Sequence, residues 1–428
     1  MKIIIIISVL TVTAVLLIFA CGSSLFGTAS RKGSPEKGSY YTGVYSNIFI
    51  ELLDVSAAEV QKKIDDAWNQ LFYGDNESER IYYQSAPDMA YIEDILHKDV
   101  RSEGISYGMM IAVQLNKKDE FDRLWKWAKT YMQYQSGPRK HYFAWQLDTD
   151  GKIIGKSTAS DGDEWIVMSL LFASARWGNG NGIYNYGHEA QLILDAMLGK
   201  AEPSDNDTVI TNMFSKKEKL VVFVPSGKAA GFTDPSYHLP HFYELWARWD
   251  DNNNIFWCEA ASASRKFLKK AAHPVTGLFP DHAYFDGSPA DLWNRGHDNF
   301  SFDAFRVVMN IGVDYQWFAR DKWAVEECNR LLDFFYGQGK GRYVNRYTLD
   351  GKPLSDQHSS GLAAMNAVAS LAATGSKRVD FVRELWEMPI PDGYGRYYDG
   401  MLYMFALLQL SGNFKVYELA GSPVTACE

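Results

Sequence analysis

Three acidic stretches in this chain each stand where an apolar helix opens. Glu103 lies in Asp99-Val100-Arg101-Ser102-Glu103-Gly104-Ile105-Ser106-Tyr107-Gly108-Met109-Met110, an apolar run that Ile111, Val113 and Leu115 continue. Asp161 and Asp163 lie in Ser160-Asp161-Gly162-Asp163-Glu164-Trp165, and Asp303 in Ser301-Phe302-Asp303-Ala304-Phe305-Arg306. A carboxyl held between polar backbone and buried apolar side chains has its pKa raised, and can then donate a proton at neutral pH. For Glu103 the competing and locally commoner reading is a plain first-turn helix acid. Arg306 follows Asp303 by nearly one turn, on a shared face. An adjacent guanidinium keeps a carboxylate ionised, which suits a general base; the alternative is a structural ion pair. Asp161 reads either as a partner for a substrate hydroxyl or as a helix cap, and Asp163 as a cap. Far apart in sequence, the three stretches can converge on one cleft.

Other chemistry finds less support. His238 and His241, spaced i,i+3 in Pro235-Ser236-Tyr237-His238-Leu239-Pro240-His241, lack further ligands and read as packed or cleft-lining histidines. Asp161-Gly162-Asp163 lacks the rest of a calcium loop. No Gly-x-Ser-x-Gly or phosphate-loop pattern occurs, so acyl and phosphoryl transfer have no motif. Neither metal nor cofactor is expected.

The elements that must position these residues are helices. Hydrophobic spacing predicts twelve: 57–72, 104–117, 119–134, 161–176, 184–199, 236–250, 253–271, 301–319, 321–337, 357–374, 377–387 and 397–411. The helix at 119–134 carries an apolar stripe of Phe121, Leu124, Trp125, Ala128, Tyr131 and Met132. Those at 104–117, 161–176 and 397–411 are apolar on most sides, as helices buried all round are. That alternation predicts an inner and an outer ring. Lys219–Val224 and Arg342–Leu349 are the expected strands, and the long connections 135–160 and 273–300 are natural places for a cleft.

The chain has 428 residues and a net charge of −9, which argues against nucleic acid as a partner. Its 13 Trp, 25 Tyr and 24 Phe exceed what a core alone asks for, and flat rings match the apolar faces of sugars. Lys2 and the apolar run Ile3–Ala20, ending Ile18-Phe19-Ala20-Cys21, read as a secretory signal over 1–20. The ending resembles a bacterial lipoprotein box, which would make Cys21 the lipidated residue; an uncleaved membrane anchor is the alternative. Residues 21–40 read as a flexible tether and 41–428 as one domain. The implied place is the bacterial cell envelope, or secretion. Cys258 and Cys328 lie in apolar helical patterns and read as buried thiols, with a disulfide among Cys258, Cys328 and Cys427 left open.

Together the motifs resemble glycoside hydrolase family 8. Val100-Arg101-Ser102-Glu103-Gly104-Ile105-Ser106-Tyr107-Gly108-Met109 is similar to the acid-bearing signature of that family. Ser160–Asp163, Asp234–Tyr237, Ser301–Arg306 and Tyr397–Tyr403 resemble further blocks in the same order, spanning most of 41–415. The resemblance implies an all-α (α/α)6 barrel of six inner and six outer helices, and inverting hydrolysis of β-1,4 glycans; the chain is expected to act as a monomer. Carried over by position, Glu103 would be the general acid and Asp303 the general base. Asp161 would contact the sugar at the cleavage point, Tyr237 would help hold the attacking water, and Arg306 would orient Asp303. Trp145 would be a stacking platform, and Tyr398 would line the sugar site. The wording looks closer to the xylan-active members. His358 aligns with a cleft-blocking Leu-His-Pro loop of reducing-end exo-oligoxylanases, with Gln357 and Ser359 replacing Leu and Pro. A His there would bond the anomeric hydroxyl and end the cleft. The expected activity is release of xylose from the reducing end of xylo-oligosaccharides; the alternative is an endo-β-1,4-xylanase, or another β-1,4-glycanase such as an endoglucanase. A reading of another class is a non-catalytic glycan-binding lipoprotein, which would not need the Glu103 and Asp303 pair. A lyase or epimerase would need a basic cluster for a uronate, and none is evident.

Overall fold

In the computed structural model, residues 37–202, 208–419 and 427 are described. The expected signal, Cys21 and the tether up to residue 36 lie outside them. Twelve helices of three turns or so make the body: α1 (Ala57–Tyr73), α2 (Ser102–Gln114), α3 (Lys118–Trp127), α4 (Ser160–Trp177), α5 (Tyr186–Leu198), α6 (Pro240–Trp249), α7 (Asn254–Ala271), α8 (Phe305–Phe318), α9 (Trp323–Gln338), α10 (Ser360–Val368), α11 (Arg378–Glu387) and α12 (Tyr398–Leu410).

Apolar patterning sorts them into two rings. The even-numbered helices are buried along nearly their whole length; α6 and α8 expose no residue, although α6 carries Glu244 and Arg248 and α8 carries Arg306 and Asp314. The odd-numbered ones bury one face, as α1 does with Val60, Ile64, Ala67, Trp68, Leu71 and Phe72. In the inner ring α2 packs on α4, α6 on α8, α8 on α10, α10 on α12, and α12 returns to α2. The junction of α4 with α6 is made by side chains. The Trp165 and Phe242 rings stand 4.9 Å apart, and the Tyr243 hydroxyl donates to Glu164 at 2.6 Å. Each outer helix packs on an inner one: α1 on α12, α3 on α2, α5 on α4, α7 on α6, α9 on α8 and α11 on α10. This is an (α/α)6 barrel.

Short strands cover one end. β1 (Tyr82–Ala86) and β2 (Met89–Ile92) form a hairpin, and β3 (Val100–Arg101), β4 (Gln146–Leu147) and β5 (Ile153–Gly155) an antiparallel sheet. The segments expected as strands differ. Lys219–Val224 and Arg342–Leu349 make only single bridges, Val221 to Phe214 and Tyr347 to Phe300 and Pro353. Their apolar residues fill gaps beside the barrel instead of forming a ladder. Three inner helices also start later than their hydropathy suggests. Pro240, which has no N–H to leave unpaired, opens α6; the Ser359 side chain caps α10; and residues 301–304 form a turn ahead of α8.

One cysteine expectation is corrected. Cys258 is not a free thiol: it is bonded to Cys427, 169 residues on, while Cys328 is free and buried. Cys258 lies half-buried on α7, and the Arg320 guanidinium donates to the Cys427 carbonyl at 2.7 Å. Among the described residues no helix is long and apolar enough to cross a membrane. Alkylating the denatured chain without reductant should label only Cys328 within residues 37–428. Peptide mapping that finds label on Cys258 or Cys427 contradicts the pairing.

Candidate active site

All six inner helices begin at the same end of the barrel, and the residues singled out above gather there. Glu103 sits in the first turn of α2. That turn is anchored from outside: β3 pairs with β4, and the Ser102 N–H donates to the Trp145 carbonyl at 3.0 Å. Trp145 is thereby set against the same turn, half-buried, with the Arg101 guanidinium 5.7 Å from its ring centre. Two glycines permit close approach. A Cβ on Gly104 would lie 2.7 Å from the Tyr397 ring, and one on Gly162 would lie 2.5 Å from the Ser102 hydroxyl.

Arg306, 2% exposed, is the hub. Its Nη1 donates to Glu103 Oε2 at 2.7 Å, to Asp161 Oδ2 at 3.1 Å and to the Tyr107 hydroxyl at 2.9 Å. Its Nη2 donates to Asp303 Oδ1 at 2.8 Å. One planar fork thus holds three acids from three inner-helix ends, α2, α4 and α8. On the other side of Glu103, the Tyr397 hydroxyl donates to Oε1 at 3.2 Å.

Burial pushes Glu103 from its ordinary 4.5 up to about 7; the Asp161 and Asp303 charges add to this, and Arg306 opposes it. A carboxyl near 7 is protonated often enough to give a proton at neutral pH. Asp161 is raised as well, by burial first, with Arg306 pulling it down. Asp303 keeps 35% of its side chain in solvent, so water can reach it. Tyr237 is buried against Phe223, ring centres 5.6 Å apart, and Arg306 lies 5.9 Å from its ring.

Three expectations need restating. Asp163 does not cap: α4 begins at Ser160, so Asp163 is a turn inside and fully buried, and burial raises its pKa. Tyr398 spends its hydroxyl on the Phe302 carbonyl, at 2.6 Å, beside Asp303. His358 donates from Nδ1 to the Tyr343 carbonyl at 2.8 Å, since a carbonyl only accepts, and its Nε2 stands 3.8 Å from Glu384 Oε1. The loop around it is pinned without a proline. Asn345 N–H donates to the Gln357 carbonyl at 2.7 Å, and the Ser359 and Ser360 hydroxyls donate to Asp399 at 3.1 and 2.9 Å. His238 packs on Phe267 and bonds Thr233 and Ser264, and His241 is buried against Phe242 and Trp317.

Sequence reasoning missed Tyr107, Tyr397 and a group around Asp303. Tyr107 stands one turn after Glu103, so helical spacing contained the signal. Asp234, His282 and Asp303 each offer a ligand-type atom, all within 4.8 Å of one another, the one such grouping found among the described residues. Nothing in the local sequence ties 234 and 282 to 303.

A barrel of six helix pairs with paired acids at the open end of its inner ring defines a glycoside hydrolase. The chain belongs to the glycosyl hydrolases family 8, whose model matches residues 92–412. It is 46% identical over 385 residues to the reducing-end xylose-releasing exo-oligoxylanase Rex8A of Paenibacillus barcinonensis, covering 89% of this chain and 99% of that protein. The Rex8A structure with xylose superposes with a TM-score of 0.84 at 45% identity, covering 90% of this chain and all of the other. The structure of a family 8 xylobiose complex from Teredinibacter turnerae superposes with a TM-score of 0.85 at 45% identity, covering 89% and 100%.

The raised carboxyl leaves a mark on stability. Between pH 4.5 and about 7 the folded chain keeps a proton on Glu103 that the unfolded chain gives up, so folding stability falls as pH rises through that window. Glu103→Gln cannot ionise. The wild type should therefore lose stability relative to Glu103→Gln across this range in urea titrations. A gap that stays constant with pH contradicts the assignment.

Proposed function

We propose that this protein hydrolyses β-1,4-xylosidic bonds with inversion, releasing xylose from the reducing end of xylo-oligosaccharides. The observation that carries the reading is the hub: Glu103, raised to about 7, and Asp303, open to solvent, share one guanidinium. Held on two nitrogens of one fork, their nearest oxygens are within roughly 8 Å of each other. That bound overlaps the ~6.5–9.5 Å that inverting pairs use to seat a water. Glu103 protonates the leaving oxygen, and Asp303 activates water from the opposite face. Asp161 and Tyr237 face the sugar between them, and Trp145 and Tyr398 flank it. The hub also speaks against a purely binding role, since a glycan-binding barrel gains nothing from an acid raised to about 7 beside a solvent-open carboxylate.

His358, on a pinned loop beside Glu384, supports exo action, as do relatives bearing that name at 46 and 42% identity. A second reading, endo-xylanase, is favoured by one observation: a Teredinibacter turnerae xylanase seen with xylohexaose is as similar, at 44% identity and a TM-score of 0.85. Xylotetraose labelled with ¹⁸O at its reducing end should give labelled xylose and unlabelled xylotriose as the first products, with the new anomeric centre of the xylotriose in the α configuration. Mixed products from the outset, with a rapid viscosity drop in polymeric xylan, would show an open cleft. Glu103→Gln and Asp303→Asn should each lose at least about a hundredfold in rate. Near wild-type activity in either overturns the roles.

We further propose that Cys21 is lipidated and holds the enzyme at the bacterial cell envelope; full secretion is the alternative. The Cys258–Cys427 disulfide fits such an oxidising place. We propose as well that it acts as a monomer, which a molar mass measured by light scattering tests against a mass of 48.5 kDa per chain. Palmitate labelling should disappear in Cys21→Ala, and labelling that persists there refutes the anchor.

A further inference from the structure

Asp281 lies in the long connection before α8, in no stretch that reads as catalytic, yet its side chain is built into the turn that carries Asp303. It is 4% exposed. Its Oδ1 accepts from the Ser301 N–H at 3.1 Å and from the Ala304 N–H at 3.2 Å. These two donors bracket Asp303, so a single carboxylate oxygen closes the 301–304 turn around it. The backbone on either side is held too. Phe300 and Tyr347 exchange N–H···O bonds at 2.9 and 3.0 Å, and the Asp281 N–H donates to the Asn299 carbonyl at 2.9 Å.

The second oxygen is also faced. Asp281 Oδ2 stands 3.7 Å from His297 Nδ1, an ion pair when the imidazole is charged. The His297 ring stacks on His282, centres 4.2 Å apart and 22° from parallel, and the His282 N–H donates to the His297 carbonyl at 2.8 Å. Asp281 is therefore fixed from behind by rings and backbone, and passes that rigidity to the turn. Arg306 fixes the carboxylate of Asp303; the peptide groups on either side of it are fixed by Asp281.

We propose that Asp281 is a positioning residue for the hydrolytic reaction, holding the 301–304 turn so that Asp303 meets the attacking water at the productive distance and angle. The proposal rests on Asp303 being the general base. Misplacing a reacting group by an ångström costs on the order of a hundredfold, while binding of the sugar, made by other residues, is unaffected.

The test compares Asp281→Asn with Asp281→Leu, close to each other in volume, in the full-length enzyme acting on xylotetraose. Asn keeps an oxygen that accepts both N–H groups; Leu does not. Asp281→Leu should lose roughly tenfold to a hundredfold in kcat with KM within about twofold of wild type, and Asp281→Asn should recover most of that loss. Equal damage in the two variants, a KM that rises as kcat falls, or a folded Asp281→Leu enzyme with wild-type kcat overturns the proposal. If Asp281→Leu does not fold, amide exchange on the wild type decides: Ser301 and Ala304 should be protected, and fast exchange at both refutes the hold. Asp303→Asn, run alongside, separates the two readings. An active Asp303→Asn enzyme removes the base assignment, whereas an inactive one beside a normal Asp281→Leu enzyme removes only the positioning role.

Discussion

The site depends on one buried guanidinium. Three carboxylates converge on Arg306, and without a cation they could not share so small a volume. One positive charge does not offset three negative ones, so the cluster settles by keeping a proton, and Glu103, raised to about 7, is where it is held near neutrality. The same arithmetic keeps the barrel in register, because α2, α4 and α8 must present their first turns to a single side chain. Removing one partner of a buried ion pair typically costs about 3–5 kcal/mol, through the charge left behind. Fold and chemistry are therefore secured by the same contacts.

The barrel supplies the rest by geometry. Inner helices buried on every side need a second ring around them, and a ring of six antiparallel pairs brings six helix starts to one end. The acids need no long loops to meet, since each lies within a turn of a helix start or just ahead of one. Longer connections are left free for other work, such as the 281–304 stretch behind Asp303 and the 355–359 loop beside Glu384.

Much of this was legible in the chain. The helices could be read because hydrophobic periodicity is local, and the inner ones at 104–117, 161–176 and 397–411 because Met, Ile, Val and Leu leave little polar face. Glu103, Asp161, Asp303 and Arg306 were legible from their shared setting and from motif order. What was not legible rests on contacts between distant residues. The pairing of Cys258 with Cys427 depends on where the C-terminal residues run. Asp163 resembles its neighbour Asp161 in sequence, but two residues of helix turn it to the opposite face, away from Arg306. The expected strands were read from apolar residues that in fact plug gaps beside the barrel, a distinction set by tertiary packing. Asp281 was hidden because its partners are backbone N–H groups, which carry no residue signature.

The start of α12 has a further consequence for anyone wishing to redesign the enzyme. Three successive residues there reach in three directions: Tyr397 to the Glu103 carboxyl, Tyr398 to the backbone beside Asp303, and Asp399 to the serines that follow His358. The loop and the acid cluster hang from one hinge pin. Shortening or loosening the 355–359 loop would tug on Asp399, and through that helical turn on both carboxyl groups. Changes to the loop and an undisturbed acid cluster are mechanically opposed in this scaffold, unless the loop is altered on its far side, where Asn345 and Tyr343 hold it, leaving the Asp399 contacts intact.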